Sequence, residues 1–163
     1  MKEVDTAQIQ GFLIGQLIIT LIGGLLIVAA DFAGFYHYDY YTKVEQWGSV
    51  YLGSGLVSSA LIVAVAAGLF IAAWQAFQIL KDAKITAEKV IHLEATAEKP
   101  LMVSAAITVA GGLVFAISSM LDGTEEWWFD AGFYGALVGS VLGLVFIKQI
   151  VARVKMMAQQ QAQ

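Results

Sequence analysis

The sequence predicts an all-α membrane protein: a four-transmembrane-helix bundle with both termini in the cytoplasm. Three observations carry this. Hydrophobic residues make up 59% of the 163 and charged ones only 13%. Four apolar stretches recur, each near or above the ~20 residues a helix needs to cross ~30 Å of hydrocarbon. The basic residues fall almost wholly on one side of them. A mean hydropathy of +0.74 agrees, since a soluble domain of this length needs a far more charged surface. The whole chain, 1–163, reads as one integral membrane domain.

The first span is expected at about 11–30. It follows a short polar start, Met1 to Gln10, and is too long for the apolar core of a cleaved signal peptide, so it reads as a retained helix. The second, about 50–80, is long enough to require tilt or projection. The third is expected at about 101–121 and the fourth at about 131–152. No stretch alternates as a transmembrane β-barrel strand does. Helices that satisfy their own backbone are the economical solution in lipid.

Between the second and third spans lies a cytoplasmic connection, 81–100. It is rich in helix-forming residues and has no glycine, and is expected to prolong the second helix, with Pro100 opening the third. The polar tail after Lys155 is expected to fray.

Orientation follows from charge. Lys2, Lys81, Lys84, Lys89, Lys99, Lys148, Arg153 and Lys155 fall on one side, leaving only Lys43 of the nine cations on the other. The positive-inside rule puts the eight in the cytoplasm. The outer loops, 31–49 and 122–130, carry Asp31, Asp39, Glu45, Asp122, Glu125, Glu126 and Asp130, so seven acids against one lysine give a formal outer charge of −6. Thirteen of the 19 aromatic residues also belong to this side. An interfacial belt accounts for rings at this depth, but the density also suits a docking surface. Tyr36, Tyr38, Tyr40, Trp47, Trp127 and Trp128 are its candidates.

The two halves share a pattern. Ile19-Thr20-Leu21-Ile22-Gly23-Gly24-Leu25 matches Ile107-Thr108-Val109-Ala110-Gly111-Gly112-Leu113 at five of seven positions. The segment beginning Gly55-Leu56-Val57 matches the one beginning Ala136-Leu137-Val138. The pattern reads as a tandem repeat of two helical hairpins related by an axis along the membrane normal, unlike the inverted repeats of many transporters.

Small residues at four-residue spacing mark packing faces, because helices in lipid associate by close approach. Gly135, Gly139 and Gly143 form one such stripe, and Ala60, Ala64 and Gly68 another. They either close the bundle on itself or leave a face for a partner subunit.

Chemistry is poorly supplied. Without cysteine, the chain cannot form disulfides or thiolate metal sites. No ionisable residue falls in the middle of a span, which disfavours ion-coupled transport. The polar residues at depth are chiefly hydroxyls, among them Thr20, Ser104, Thr108 and Ser140, together with Gln16 and Gln75. His37 and His92 belong to opposite sides and cannot share a haem or metal. No catalytic constellation and no metal centre is expected; the weak calcium candidate is Asp122, Glu125, Glu126 and Asp130, read more simply as a solvated acidic turn. No cofactor is expected, although a bound lipid would need no titratable contact. Nucleic acid is not an expected partner; the bilayer, other membrane subunits or copies of the chain are.

A long aromatic first outer loop followed by a shorter one resembles the tetraspan arrangement of claudins in topology alone. The paired cysteines of that family's first loop are absent and Trp47 is the one residue in common, so nothing further is carried over. The reading that remains is a non-catalytic structural or accessory subunit of a larger membrane assembly. The alternative is a self-assembling homo-oligomeric channel, with Ser54, Ser58, Thr108 and Ser140 lining its path beneath an acidic rim.

Overall fold

A computed structural model describes residues 3–37, 43–47, 56–82, 85–121, 123 and 126–161. Four long helices, α1 (Glu3–Ala29), α2 (Leu56–Lys81), α3 (Ala87–Leu121) and α4 (Ala131–Gln161), enclose the core. Each packs on the helices before and after it, α4 closes on α1, and α2 and α4 touch across the diagonal. Three short strands, β1 (Ala33–His37), β2 (Lys43–Trp47) and β3 (Glu126–Phe129), cap one end.

The helices contain stretches long and apolar enough to cross a bilayer, at Ala7–Ala29, Ser59–Lys81, Ala87–Leu121 and Ala131–Met157. Their distribution of polarity is that of a membrane protein. Among the described residues, the outward face carries large apolar side chains from Ile14 to Val28 on α1, Val57 to Phe77 on α2, Met102 to Leu121 on α3 and Tyr134 to Val145 on α4. The polar side chains Gln16, Thr20, Ser104, Thr108, Ser119 and Ser140 are buried instead. Water would not tolerate an apolar girdle of this extent, whereas lipid requires it. The chain thus has the form of a multi-pass membrane protein.

The connection between α2 and α3 differs from the sequence expectation. It prolongs α3, not α2. Lys81 lies in the last turn of α2, where the helix dipole favours a cation. Thr86 then starts α3 as its N-cap, its hydroxyl accepting from Lys89 N–H at 3.4 Å, with Glu88 in the first turn. Pro100 therefore lies inside α3 rather than at its start, where it has no N–H to give the Thr96 carbonyl. At 35 residues α3 is the longest helix, about 52 Å at ~1.5 Å per residue, and its first turns extend past the girdle. Residues 50–55, expected to open the second span, lie outside the described residues. The tail expected to fray continues α4 to Gln161.

Close backbone approaches hold the ring together. On the α1–α4 seam a Cβ at Gly23 would lie 2.5 Å from the Gly135 carbonyl oxygen and 3.1 Å from Gly139 Cα. On the α2–α3 seam Gly68 faces the Pro100 carbonyl and Ser104 Oγ, and that hydroxyl donates across the seam to the Val65 carbonyl at 3.1 Å. Between these seams Leu13, Leu69, Leu101, Ile147 and Ile150 are fully buried.

The sheet was not expected from the sequence. Its order is β2-β1-β3, antiparallel throughout. The segments AGFYH, KVEQW and EWWF are rich in strand-favouring residues. Strands of four or five residues are too short for an alternation to stand out. Pairing of β1 with β3 joins the α1–α2 and α3–α4 connections in one element, with Ala33 opposite Phe129 and Phe35 opposite Trp127.

Candidate functional site

The sheet end is the most elaborated surface of the molecule, and it is built from the helix ends upward. The end of α1 meets the start of α4: Gly132 N–H donates to the Asp31 carbonyl at 2.9 Å and Asp130 N–H to the Phe32 carbonyl at 3.0 Å. Helix ends leave carbonyls and amides unsatisfied, and here the two ends supply each other. The approach is close enough that a Cβ at Gly132 would come within 2.8 Å of the Asp31 carbonyl oxygen. The Asp130 carboxylate caps α4, accepting from Ala131 N–H at 2.7 Å. Loss of such a cap costs about 1 kcal/mol, so Asp130→Ala is expected to lower the unfolding midpoint in detergent by a few degrees without changing the assembly size.

Above this junction an aromatic cluster seats the sheet. Phe133 stacks on Phe129 with ring centres 4.1 Å apart and meets Phe32 edge-on at 5.3 Å. Phe115, from α3, lies 6.4 Å from Phe35, 6.1 Å from Trp127 and 5.9 Å from Phe129. The alternation of a strand explains which rings point down. Phe35 and Trp127 are register partners on the bundle face, whereas Gly34 and Trp128, the next pair, lie on the opposite face. The Trp128 indole lies across Gly34, 2.6 Å from where a Cβ would stand.

The six docking candidates therefore separate. Trp127 packs inward against Phe115, and Trp128 lies on the outer face of the sheet over Gly34. Tyr36 and Trp47 are placed by their backbone in β1 and β2. Tyr38 and Tyr40 lie outside the described residues. The cluster members Phe32, Phe115 and Phe133 were not singled out from sequence as a site. Phe115 lies within an apolar span, where one ring among leucines carries no signal.

Of the calcium candidates, Asp122 and Glu125 lie outside the described residues, Glu126 is exposed in β3, and Asp130 is engaged as the α4 cap. Among the described residues no three His, Asp or Glu side chains converge as metal ligands. Gly123 between them takes φ +67°, a left-handed turn that suits glycine.

The small-residue stripes face inward in part. Gly135 packs on the Leu26 side chain, Gly139 on the α1 backbone at Ile19 and Gly23, and Gly143 on Thr20 and Leu101. This brings the whole α4 stripe into the chain's own core. On α2, Gly68 is buried against α3 while Ala60 and Ala64 are exposed. Four residues advance about 40° beyond one turn, so a stripe at that spacing rotates away from any straight seam. Of the proposed pore residues, Thr108 and Ser140 are buried and donate to the Ser104 and Ala136 carbonyls of their own helices. Ser58 is placed by its backbone in α2, and Ser54 lies outside the described residues.

The opposite end, where α1 and α3 begin and α2 and α4 end, is held by polar contacts. Lys148 of α4 bridges Glu98 at 2.7 Å and Glu94 at 3.2 Å on α3. Arg153 bonds Gln8 and lies 5.4 Å over the Phe12 ring. Because the Lys148 side chain is 54% exposed, Lys148→Ala is expected to cost less than about 1 kcal/mol, read as a salt-sensitive change in thermal midpoint. An open cavity of about 350 Å³ at this end is lined by Gln75, Gln78, Asp82, Thr86, Lys89 and His92, among others. His92 lies here and His37 in β1, at the other end of the bundle.

Comparison with known families, with curated proteins and with solved structures finds no match.

Proposed function

We propose that this chain is a non-catalytic structural or accessory subunit of a larger membrane assembly, with both termini in the cytoplasm and its sheet end as the docking surface. The observation that carries this reading is the pairing of β1 with β3 over the Phe115 and Phe133 rings. Two loops tied into one sheet on a packed seat form a preorganised surface, and preorganisation reduces the entropic cost of binding. Anchoring in lipid needs rings at the interface but no such sheet. The acidic outer loops favour a partner presenting basic groups, as charge complementarity steers association.

The bundle interior supports the same reading. With the Gly135–Gly143 stripe packed on α1 and α3, and Thr108 and Ser140 bonded to their own helices, these residues are engaged within one chain, which favours the subunit reading over a path lined by them. The shared glycine pairs, Gly23-Gly24 and Gly111-Gly112, meet neighbouring elements in both halves, which suits two related hairpins in tandem.

Native mass spectrometry of the gently extracted protein, expressed in its own genetic neighbourhood, tests the proposal. A stable complex with unlike chains is the expected result. A pure homo-oligomer of four or more copies that conducts in liposomes would replace it with the channel reading.

A further inference from the structure

Gln16 is fully buried near the middle of the α1 span, and neither its side-chain oxygen nor its side-chain nitrogen has a hydrogen-bond partner in the protein. An amide left unpaired in an apolar interior costs several kcal/mol, and buried polar groups are in general paired with protein or with ordered water. The surroundings define what can pair with this one. On one side of it along α1, a Cβ at Gly15 would meet the Phe146 ring; on the other, the Thr20 methyl lies 2.9 Å from a Cβ built at Gly143. Gln16 therefore stands at the height of Gly143 to Phe146 on α4, with Leu101 of α3 against the same Gly143.

Three properties of this core restrict the occupant. The first is charge: the polar side chains buried among the described residues are Gln16, Thr20, Ser104, Thr108, Ser119 and Ser140, none of which is ionisable, so an ion would have no counter-charge. The second is hydrogen-bond sense. The hydroxyls of Thr20, Ser104, Thr108 and Ser140 already donate to backbone carbonyls, which leaves them as acceptors, while the Gln16 amide offers two donors and an acceptor. The third is size: Leu13, one turn away on α1, and Leu101, which lies against Gly143 at this height, are fully buried, which confines the occupant to a small molecule. The occupant is neutral, small, and both donates and accepts.

We propose that Gln16 binds ordered water inside the bundle. The water accepts from the Gln16 amide nitrogen and donates to its oxygen or to the Thr20 hydroxyl oxygen one turn away, which satisfies an amide that neither lipid nor the protein can satisfy. Gln16 is then the anchor of a hydrated point within the membrane-spanning part of the molecule.

X-ray radiolytic labelling of the purified protein, read by mass spectrometry, tests this because radicals formed from bound water oxidise side chains that bulk solvent does not reach. Leu13, one turn from Gln16 and 0% exposed, is the reporter. The expected result is oxidation of Leu13 in the wild type and its loss in Gln16→Leu. A wild type in which Leu13 stays unmodified overturns the proposal and needs no variant. Equal oxidation in both proteins also overturns it, since water would then reach the core without Gln16.

Discussion

Gly23→Leu is expected to prevent the bundle from closing, whereas Gly11→Leu leaves it folded. At Gly23 the first side-chain atom alone would lie 2.5 Å from a backbone oxygen of α4 and 3.1 Å from a backbone Cα. Neither neighbour is a flexible side chain that can turn aside, so the helices themselves must separate. Overpacking by even a methylene or two costs about 1–3 kcal/mol in a well-packed interior. Gly23→Ala should fall at or above the upper end of that range, and leucine beyond it. Gly139→Leu meets the same seam from the other side, with a Cβ 3.1 Å from the Ile19 carbonyl oxygen. At Gly11 nothing lies within 4 Å of the added atom. Helix propensity favours its replacement there. Thermal unfolding in detergent, followed by size-exclusion profile, reads the difference.

Phe115→Ala is expected to destabilise the protein by about 3–5 kcal/mol, the range for removal of a buried phenylalanine, and to release the sheet first. Phe115 is 4% exposed and touches a ring on β1 and two on β3, so it is the helix-borne post on which both outer segments rest. Without it, hydrogen exchange of the amides of 33–36 and 126–129 should accelerate well before that of α1 or α4. Trp74→Ala is the control: its ring is large but 57% exposed on the apolar girdle, and its loss should leave exchange in the sheet unchanged. Equal acceleration throughout the protein would mean that the sheet is not a separable cap but part of one cooperative unit.

The helices were legible in the sequence because each is governed by one dominant variable, the length of an apolar run. That variable fails where polarity and conformation part company. The segment before Pro100 is polar, so it fell outside the apolar run, yet Thr86 and Glu88 supply an N-terminal signal that makes it the first part of α3. Pro100 looked like a start because proline suits a first turn, but the helix already in place carries it. The sheet was hidden for another reason. Its strands are five, five and four residues long, and the pairing of β1 with β3 joins positions 90 to 96 residues apart. Aromatic density marked the right regions while concealing the two roles within them, since adjacent Trp127 and Trp128 serve opposite faces. The glycine stripe was found by spacing, but only the geometry at Gly23 shows which helix fills it.

Photo-crosslinking from the sheet tests the docking account most directly. Glu126 is exposed in β3, at the face where a partner is proposed to dock. Met156, exposed near the other end of the bundle, is the internal control. A photoreactive residue at position 126, activated in the native membrane, should yield an adduct with an unlike chain while position 156 does not. Adducts from position 126 with this same chain alone, or with lipid alone, would contradict the account.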